Sequence, residues 1–375
     1  MKKVKSYRQF TLLRTMVAKY YPKAKFLVVY FTNCFGFLMV LASLTLWSCG
    51  QSQEKERDAF LLKGNLQLEA GEYQEAIRYY NEAILIDPNS ADAYNNRGIA
   101  YANTGRFPEA ITDYTRAIQS RADYVDAYFN RSDAYQRSGD YLRSLNDLDT
   151  VLYYYTDSAY VHFSQGLSLT GLRRYPQARQ AFENAILLDS LNAESYVNRA
   201  TVFYYQQQYD QAERDIDRAL QLDESESNAY NVLGLIYTDT QQYDSAKWAF
   251  KRALQLEPYQ PYFLNNLAYL YLQTDSLQLA QEALTTSMRS DPKNSYVYRN
   301  QGLYYLKQKK YQDAVRLLTR AIELDDSTQD AYFYLGNAYE GLKNLEEACG
   351  AWGNSQVAGN VKAEEKYQKY CASHI

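Results

Sequence analysis

Between Arg57 and Lys362 the order of small, bulky apolar and polar positions returns every 34 residues, nine times in succession, with no residue inserted or deleted. A period of that length marks stacked two-helix units, each too small to bury its apolar face alone. One place in every repeat is small: Gly64, Gly98, Ser132, Gly166, Ala200, Gly234, Ala268, Gly302 and Gly336. Twelve residues further on, a second reads Ala76, Ala110, Ser144, Ala178, Ala212, Ala246, Ala280, Ala314 and Ala348. Small side chains in fixed register predict two closely approaching helices, because a larger residue would push the pair apart. Two bulky columns fill the remaining space, one running Tyr101, Tyr135, Leu169, Phe203, Tyr237, Tyr271, Tyr305, Tyr339, the other Tyr80, Tyr114, Leu148, Phe182, Ile216, Phe250, Leu284, Leu318, Trp352. A third small column, Ala83, Ala117, Ala185, Ala219, Ala253 and Ala321, is followed five residues later by Pro88, Pro258 and Pro292. Those prolines predict where the second helix of the repeat stops.

These columns resemble the tetratricopeptide repeat (TPR) family, and the resemblance covers 306 of the 375 residues. It implies an all-α fold, a right-handed α-solenoid of nine helix pairs over residues 57–362. Gln67 departs from the first bulky column, and Thr156, Ser190 and Glu224 stand where helix-ending prolines are expected. Such arrays serve many pathways as binding surfaces, so the resemblance implies a fold and not a particular activity. Past the ninth repeat, Ala363, Tyr367, Tyr370 and Cys371 share one helical face and Lys362, Glu365, Lys366 and Lys369 the other. That pattern predicts a capping helix within residues 363–375, sealing the last pair.

Residues 1–48 follow different rules. Lys2, Lys3, Lys5, Arg8, Arg14, Lys19, Lys23 and Lys25 precede an apolar stretch from Phe26 to Trp47, with no acidic residue among them. This is the charge and apolar order of an export signal, preceding the fold as a signal or anchor helix. Leu46-Trp47-Ser48-Cys49-Gly50 resembles the bacterial lipobox, which implies cleavage after Ser48, acylation of Cys49 and a short polar tether over residues 49–56. An uncleaved anchor stays open, since about 22 apolar residues can cross a bilayer, and so does a start at Met16. Gly50 after the cysteine implies, by resemblance to Gram-negative lipoproteins, the outer membrane, on its periplasmic or its surface face. Ala348-Cys349, Trp352, Gly359 and Lys369-Tyr370-Cys371 resemble the ending of many TPR proteins from Bacteroidetes.

Charge narrows the partners. Without the leader, 32 Lys and Arg face 44 Asp and Glu, a net charge of −12, a poor fit to nucleic acid. Lys307, Lys309, Lys310, Arg316 and Arg320 form a local basic cluster, either a solvated face or an anionic docking patch. With Cys34 leaving in the leader and Cys49 acylated, Cys349 and Cys371 remain, each eleven residues from Asn360. An antiparallel hairpin turning there places them at one height, as a disulfide or as two buried thiols. Two cysteines and a terminal His374 make no metal-ligand set.

Catalysis finds little material. His162 occupies a place that reads Tyr94, Tyr128, Tyr196, Tyr230, Tyr298 and Tyr332 elsewhere, which marks it as a packing or interface residue and not a catalytic base. No glycine-rich phosphate loop and no recurring acidic pair appears, so we expect no enzyme, no cofactor and no small-molecule substrate. In the TPR family the first helix of each repeat lines the inner wall. Its sixth place here reads Asn96, Asn130, Asn198, Asn266 and Asn300. The row resembles the asparagine ladder of the TPR part of O-linked N-acetylglucosamine transferase, which implies amides able to pair with the backbone of an extended peptide. Bonding to neighbouring helices is the competing reading. Phe129, Tyr160, Phe163, Tyr204 and Tyr205 cluster at inner-wall places, as do Tyr262, Tyr269 and Tyr296, and aromatic side chains there are candidate anchors for a partner. Asp92, Asp126, Glu194 and Asp330 stand where family members that clamp a carboxylate tail need lysine, which favours a basic or neutral peptide. Asp157-Ser158-Ala159, Asp189-Ser190-Leu191, Asp244-Ser245-Ala246 and Asp275-Ser276-Leu277 match the O-glycosylation acceptor of Bacteroidetes, and equally suit ordinary turns and caps. The expected role is a membrane-anchored adaptor that binds a protein or extended peptide in the cell envelope. The alternative is a structural subunit of an outer-membrane complex.

Overall fold

The computed structural model describes residues 53–371. The export signal, the lipobox and Cys49 lie outside the described residues. Within them no helix is long and apolar enough to cross a membrane.

Every regular repeat is a thirteen-residue helix (A), a three-residue turn, a fourteen-residue helix (B) and a four-residue junction, and these lengths account for the period of 34. The described residues divide into two compact bodies, the first ending at Tyr154 and the second beginning at Tyr155. The N-terminal body contains α1 (53–69), α2 (Tyr73–Ile86), α3 (Ala91–Asn103), α4 (Phe107–Ser120), α5 (Val125–Arg137) and α6 (Tyr141–Tyr154). The C-terminal body contains α7 (Ala159–Gly171), α8 (Tyr175–Leu188), α9 (Ala193–Tyr205), α10 (Tyr209–Leu222), α11 (Ser227–Asp239), α12 (Tyr243–Leu256) and α13 (Pro261–Gln273). It continues through α14 (Leu277–Ser290), α15 (Ser295–Lys307), α16 (Tyr311–Leu324), α17 (Ala331–Gly341), α18 (Leu345–Val357) and the cap α19 (Val361–Tyr370). Two boundaries differ from the sequence expectation. Residues 53–56 of the expected tether continue α1, where Glu54 and Arg57 pair one turn apart at 3.7 Å. The cap begins at Val361, because the Asn360 side chain accepts the Ala363 N–H and so starts the helix earlier.

Small and bulky columns prove to be coupled. A Cβ added to Gly64, Gly98, Gly166, Gly234 or Gly336 would sit 2.4–2.6 Å from the ring of Tyr80, Tyr114, Phe182, Phe250 or Trp352, respectively. Where the A helix carries Ser132, Ala200 or Ala268 instead, its B-helix partner is the aliphatic Leu148, Ile216 or Leu284. Each repeat therefore fills one fixed volume, by glycine with a ring or by a methyl with a branched chain; Gly302 opposite Leu318 is the exception. The second small column is solvent-free throughout, from Ala76 to Ala348.

Helix B ends two residues before Pro88, Pro258 and Pro292, as expected, but proline is not required for it. The B helices stop at equivalent residues with or without it. At five junctions Asp87, Asp189, Asp223, Asp291 and Asp325 accept the N–H two residues on, at 2.9–3.1 Å, and turn the chain through their side chains. The division between the bodies falls at the junction carrying Tyr155 and Thr156, which, like the junction at Arg121 and Ala122, has neither device.

Inside each body the A helices touch the A helices of adjacent repeats, α3 with α5, and α7 through α17 in succession. The B helices pack on A helices, forming a second layer. This arrangement gives each body an A-helix wall and a B-helix back. At the C-terminal end, Cys349 on α18 and Cys371 after α19 form a disulfide with Cα atoms 5.7 Å apart, and Trp352 stacks on Tyr370 beneath it.

Candidate functional site

The A-helix wall is where a partner can meet side chains not needed to hold the pairs together, and the asparagine row lies along it. Asn130 donates to Asn95 at 3.0 Å, Asn266 to Asn231 at 2.9 Å and Asn300 to Asn265 at 2.8 Å, each reaching 35 residues back to the fifth place of the preceding repeat. Asn96 donates to Asn65, which also accepts the Tyr80 hydroxyl. These four amides tie one repeat to the next. Asn198 instead donates to the Glu194 carbonyl of its own helix, because the fifth place of its preceding repeat is Phe163, which has no acceptor. Asn300 is fully buried and also accepts from Arg299, which places it out of a peptide's reach. The pairing was visible in the sequence: asparagine at the fifth place, at Asn95, Asn231 and Asn265, occurs where the next repeat has asparagine at the sixth.

The aromatic residues divide in a similar way. Phe163 is core, 8% exposed and edge-on to Phe182 at 5.8 Å, since its helix turns it inward. Tyr160 stacks outside it, 60% exposed. Phe129 is half-buried in the N-terminal body. Tyr204 and Tyr205 end α9 with ring centroids 5.6 Å apart. Around them the fold adds residues that the sequence did not single out. Tyr175, opening α8, stacks on Tyr205 at 5.3 Å, and Tyr209, opening α10, lies 6.2 Å from Tyr204. Asp239, the last residue of α11, accepts the Tyr209 hydroxyl at 3.3 Å and is also held by Tyr204. Burial raises the Asp239 carboxyl above its ordinary range, and the two hydroxyls only partly counter it. Burial also raises the Tyr204 hydroxyl, with the Asp239 charge adding to the effect. On α9 the Glu194 carboxyl is raised by burial and by nearby Glu226.

The same body closes on itself near these tyrosines. Arg173, in the turn between α7 and α8, donates to the Ser327 carbonyl between α16 and α17 at 3.3 Å, across 154 residues of sequence. Burial raises the Tyr175 and Tyr205 hydroxyls, and nearby Tyr296 of α15 adds to the effect at both. Arg299, one turn beyond Tyr296, is buried between the faces of Tyr269 and Tyr296, 5.1 and 5.3 Å from their centroids. His162, by contrast, sits with Nδ1 3.2 Å from the Gln165 side chain. The basic cluster in α15 and α16 is partly neutralised, Arg316 by Asp313 and Arg320 by Glu323, around a shallow depression that includes Tyr298. Among the described residues no group of His, Cys, Asp and Glu could hold a metal ion.

The family profile of the tetratricopeptide repeat matches residues 61–127, 129–195, 197–261 and 299–358, and a second profile of the same description matches 261–294. The chain belongs to the tetratricopeptide repeat family. Among solved structures, the Cut9–Hcn1 hetero-tetramer of the APC/C resembles this TPR protein with a TM-score of 0.59 at 17% identity over 84% of the chain. The chain spans 64% of the length of that neighbour. A TPR protein from Parabacteroides merdae has a TM-score of 0.56 at 15% identity, covering 66% of this chain and 98% of its own. No curated protein sequence matches the chain. At these identities the likeness is one of fold. TPR arrays are in general scaffolds for protein interaction, and their chemistry resides in whatever they hold.

Proposed function

We propose that this TPR protein is a non-catalytic adaptor of the bacterial cell envelope, tethered by a lipid on Cys49, whose A-helix wall takes an extended segment of a protein partner. One observation carries the reading. In the C-terminal body Tyr160, Tyr175, Tyr204, Tyr205 and Tyr296 lie on or beside the A-helix wall, and Tyr160 and Tyr205 keep half or more of their surface in solvent. Large amphipathic rings exposed on a rigid wall are what binding interfaces use as anchors. A photo-crosslinking residue in place of Tyr205, in cells, is expected to trap a discrete partner. Loss of labelling by a fatty-acid probe in Cys49→Ser tests the tether.

A second reading, a structural subunit of an outer-membrane assembly, is favoured by exposed apolar side chains on the B-helix back, Leu187 at 84% and Trp248 at 56% among them. The same crosslinker at Trp248 separates the two. Adducts from position 248 with none from 205 select the subunit over the adaptor.

A further inference from the structure

The chain shows three times over how it holds a cation. Arg97, Arg131 and Arg199 each form a two-pronged bond with a carboxylate of the paired helix, Asp113, Asp147 or Asp215, at 2.7–2.8 Å. Each guanidinium also lies over aromatic faces: Arg97 over Tyr94 and Tyr101, Arg131 over Tyr128 and Tyr135, Arg199 over Tyr196 and Phe203, at 5.4–5.9 Å. Carboxylate plus aromatic faces is a strong cation receptor, combining a charge-assisted hydrogen bond with attraction to the ring quadrupole.

At the end of α11 the same parts are assembled without the cation. Asp239 accepts the Tyr209 hydroxyl, the Tyr204 hydroxyl lies close enough to favour its charged form, Tyr205 packs alongside Tyr204, and no Lys or Arg among the described residues pairs with the carboxylate. Asp239 keeps part of its surface in solvent while its carboxyl is partly desolvated, so a side chain can still approach it. A carboxyl held up by burial also gains from an arriving positive charge. The C-terminal body carries 27 acidic against 21 basic residues in its sequence, which adds attraction at longer range. The bond from Arg173 to Ser327 spans the body near Tyr205.

We infer that Asp239, with Tyr204, Tyr205 and Tyr209, is the receptor for a lysine or arginine side chain of an extended protein segment bound on the wall of the C-terminal body. This rests on the adaptor reading and adds the chemistry of the partner.

The test is an array of random 12-residue peptides of known sequence, probed with the purified full-length protein and with Asp239→Asn. Lys and Arg should be enriched in the bound set for the wild type, with the enrichment gone for D239N. For a bound peptide measured by fluorescence anisotropy, changing its Lys or Arg to Gln should weaken binding at least ten-fold to the wild type and negligibly to D239N. Tyr205→Ala should weaken the cationic peptide more than its Gln form, and an unchanged circular dichroism spectrum shows that each variant folds. Peptides bound without basic enrichment, or equally by wild type and D239N, overturn the cation receptor and leave the adaptor standing. An array with no bound peptide overturns both.

Discussion

The two bodies make the same turn with different residues. The middle residue of each A-to-B turn has positive φ in all nine repeats. It is Gly71, Gly105 and Gly139 in the N-terminal body, but Arg173, Gln207, Gln241, Asp275, Lys309 and Lys343 in the C-terminal body. Nothing lies within 4 Å of a Cβ added to the three glycines, so they answer to backbone geometry alone. A side chain in the left-handed region costs roughly 1–2 kcal/mol. In the C-terminal body some of those side chains have a partner: Arg173 reaches Ser327, and Asp275 pairs with Lys307 at 2.5 Å. The comparison teaches that the period fixes the turn's shape and not the residue that makes it, which is glycine in one body and a side chain in the other, with a partner only at Arg173 and Asp275 among the described contacts.

A second contrast concerns what joins the paired helices. Two of three repeats in the N-terminal body use a buried Arg–Asp pair, at Arg97–Asp113 and Arg131–Asp147. Repeats six, seven and nine replace it with Leu233–Ala249, Leu267–Ala283 and Leu335–Ala351, all buried. Charge and apolar packing are thus interchangeable here, provided both partners change together.

The largest expected effect comes from breaking one such pair. Asp113→Ala leaves Arg97 buried and unpaired and should destabilise the N-terminal body by about 3–5 kcal/mol in urea unfolding. Arg97→Leu with Asp113→Ala, copying the sixth repeat, should recover most of that loss; a double variant as unstable as the single one refutes the equivalence. Next comes the cap, for which the described residues of the N-terminal body show no covalent counterpart. Replacing Cys349 and Cys371 by serine opens a loop of 22 residues and should lower stability by about 3 kcal/mol, with faster hydrogen exchange confined to α18 and α19.

The turns give a smaller effect. Gly105→Ala should destabilise by about 1 kcal/mol and Gln241→Gly should stabilise by up to about the same. Opposite signs in a thermal melt support the comparison, and equal signs remove it. The smallest change is pH-dependent. Because the folded state holds Asp239 above its ordinary pKa, its contribution to stability is fully present at low pH and lost as pH rises through the raised value. The advantage of Asp239→Asn over the wild type should therefore grow as pH climbs through and beyond the carboxylate range, with Tyr204 and Tyr209 as the groups facing the site. An advantage independent of pH would assign the effect to packing.

The fold was legible in the sequence because small and bulky columns recur at one spacing, and each column answers to one local requirement of the helix pair. Helix ends were less so: prolines are the visible signal, yet the Asp87, Asp189, Asp223, Asp291 and Asp325 side chains do the same turning. Of the candidate site, Tyr204 and Tyr205 were legible and Asp239 was not. Its place reads Gly171, Tyr205, Gln273, Lys307 and Gly341 in other repeats of the same body, so no column drew attention to it. Phe163 shows the reverse error, an inner-wall place whose side chain the helix turns into the core.

The sequence by itself determined the helix pairs and their register, since these follow from contacts repeated within 34 residues. Only the tertiary structure decided which asparagines join repeats, and which tyrosines meet an unpaired carboxylate. It also decided that Arg173 meets Ser327. Such contacts join residues from different repeats, up to 154 positions apart. A periodic pattern specifies the unit and its nearest neighbour, and the accumulated rotation of many units sets what comes together beyond them.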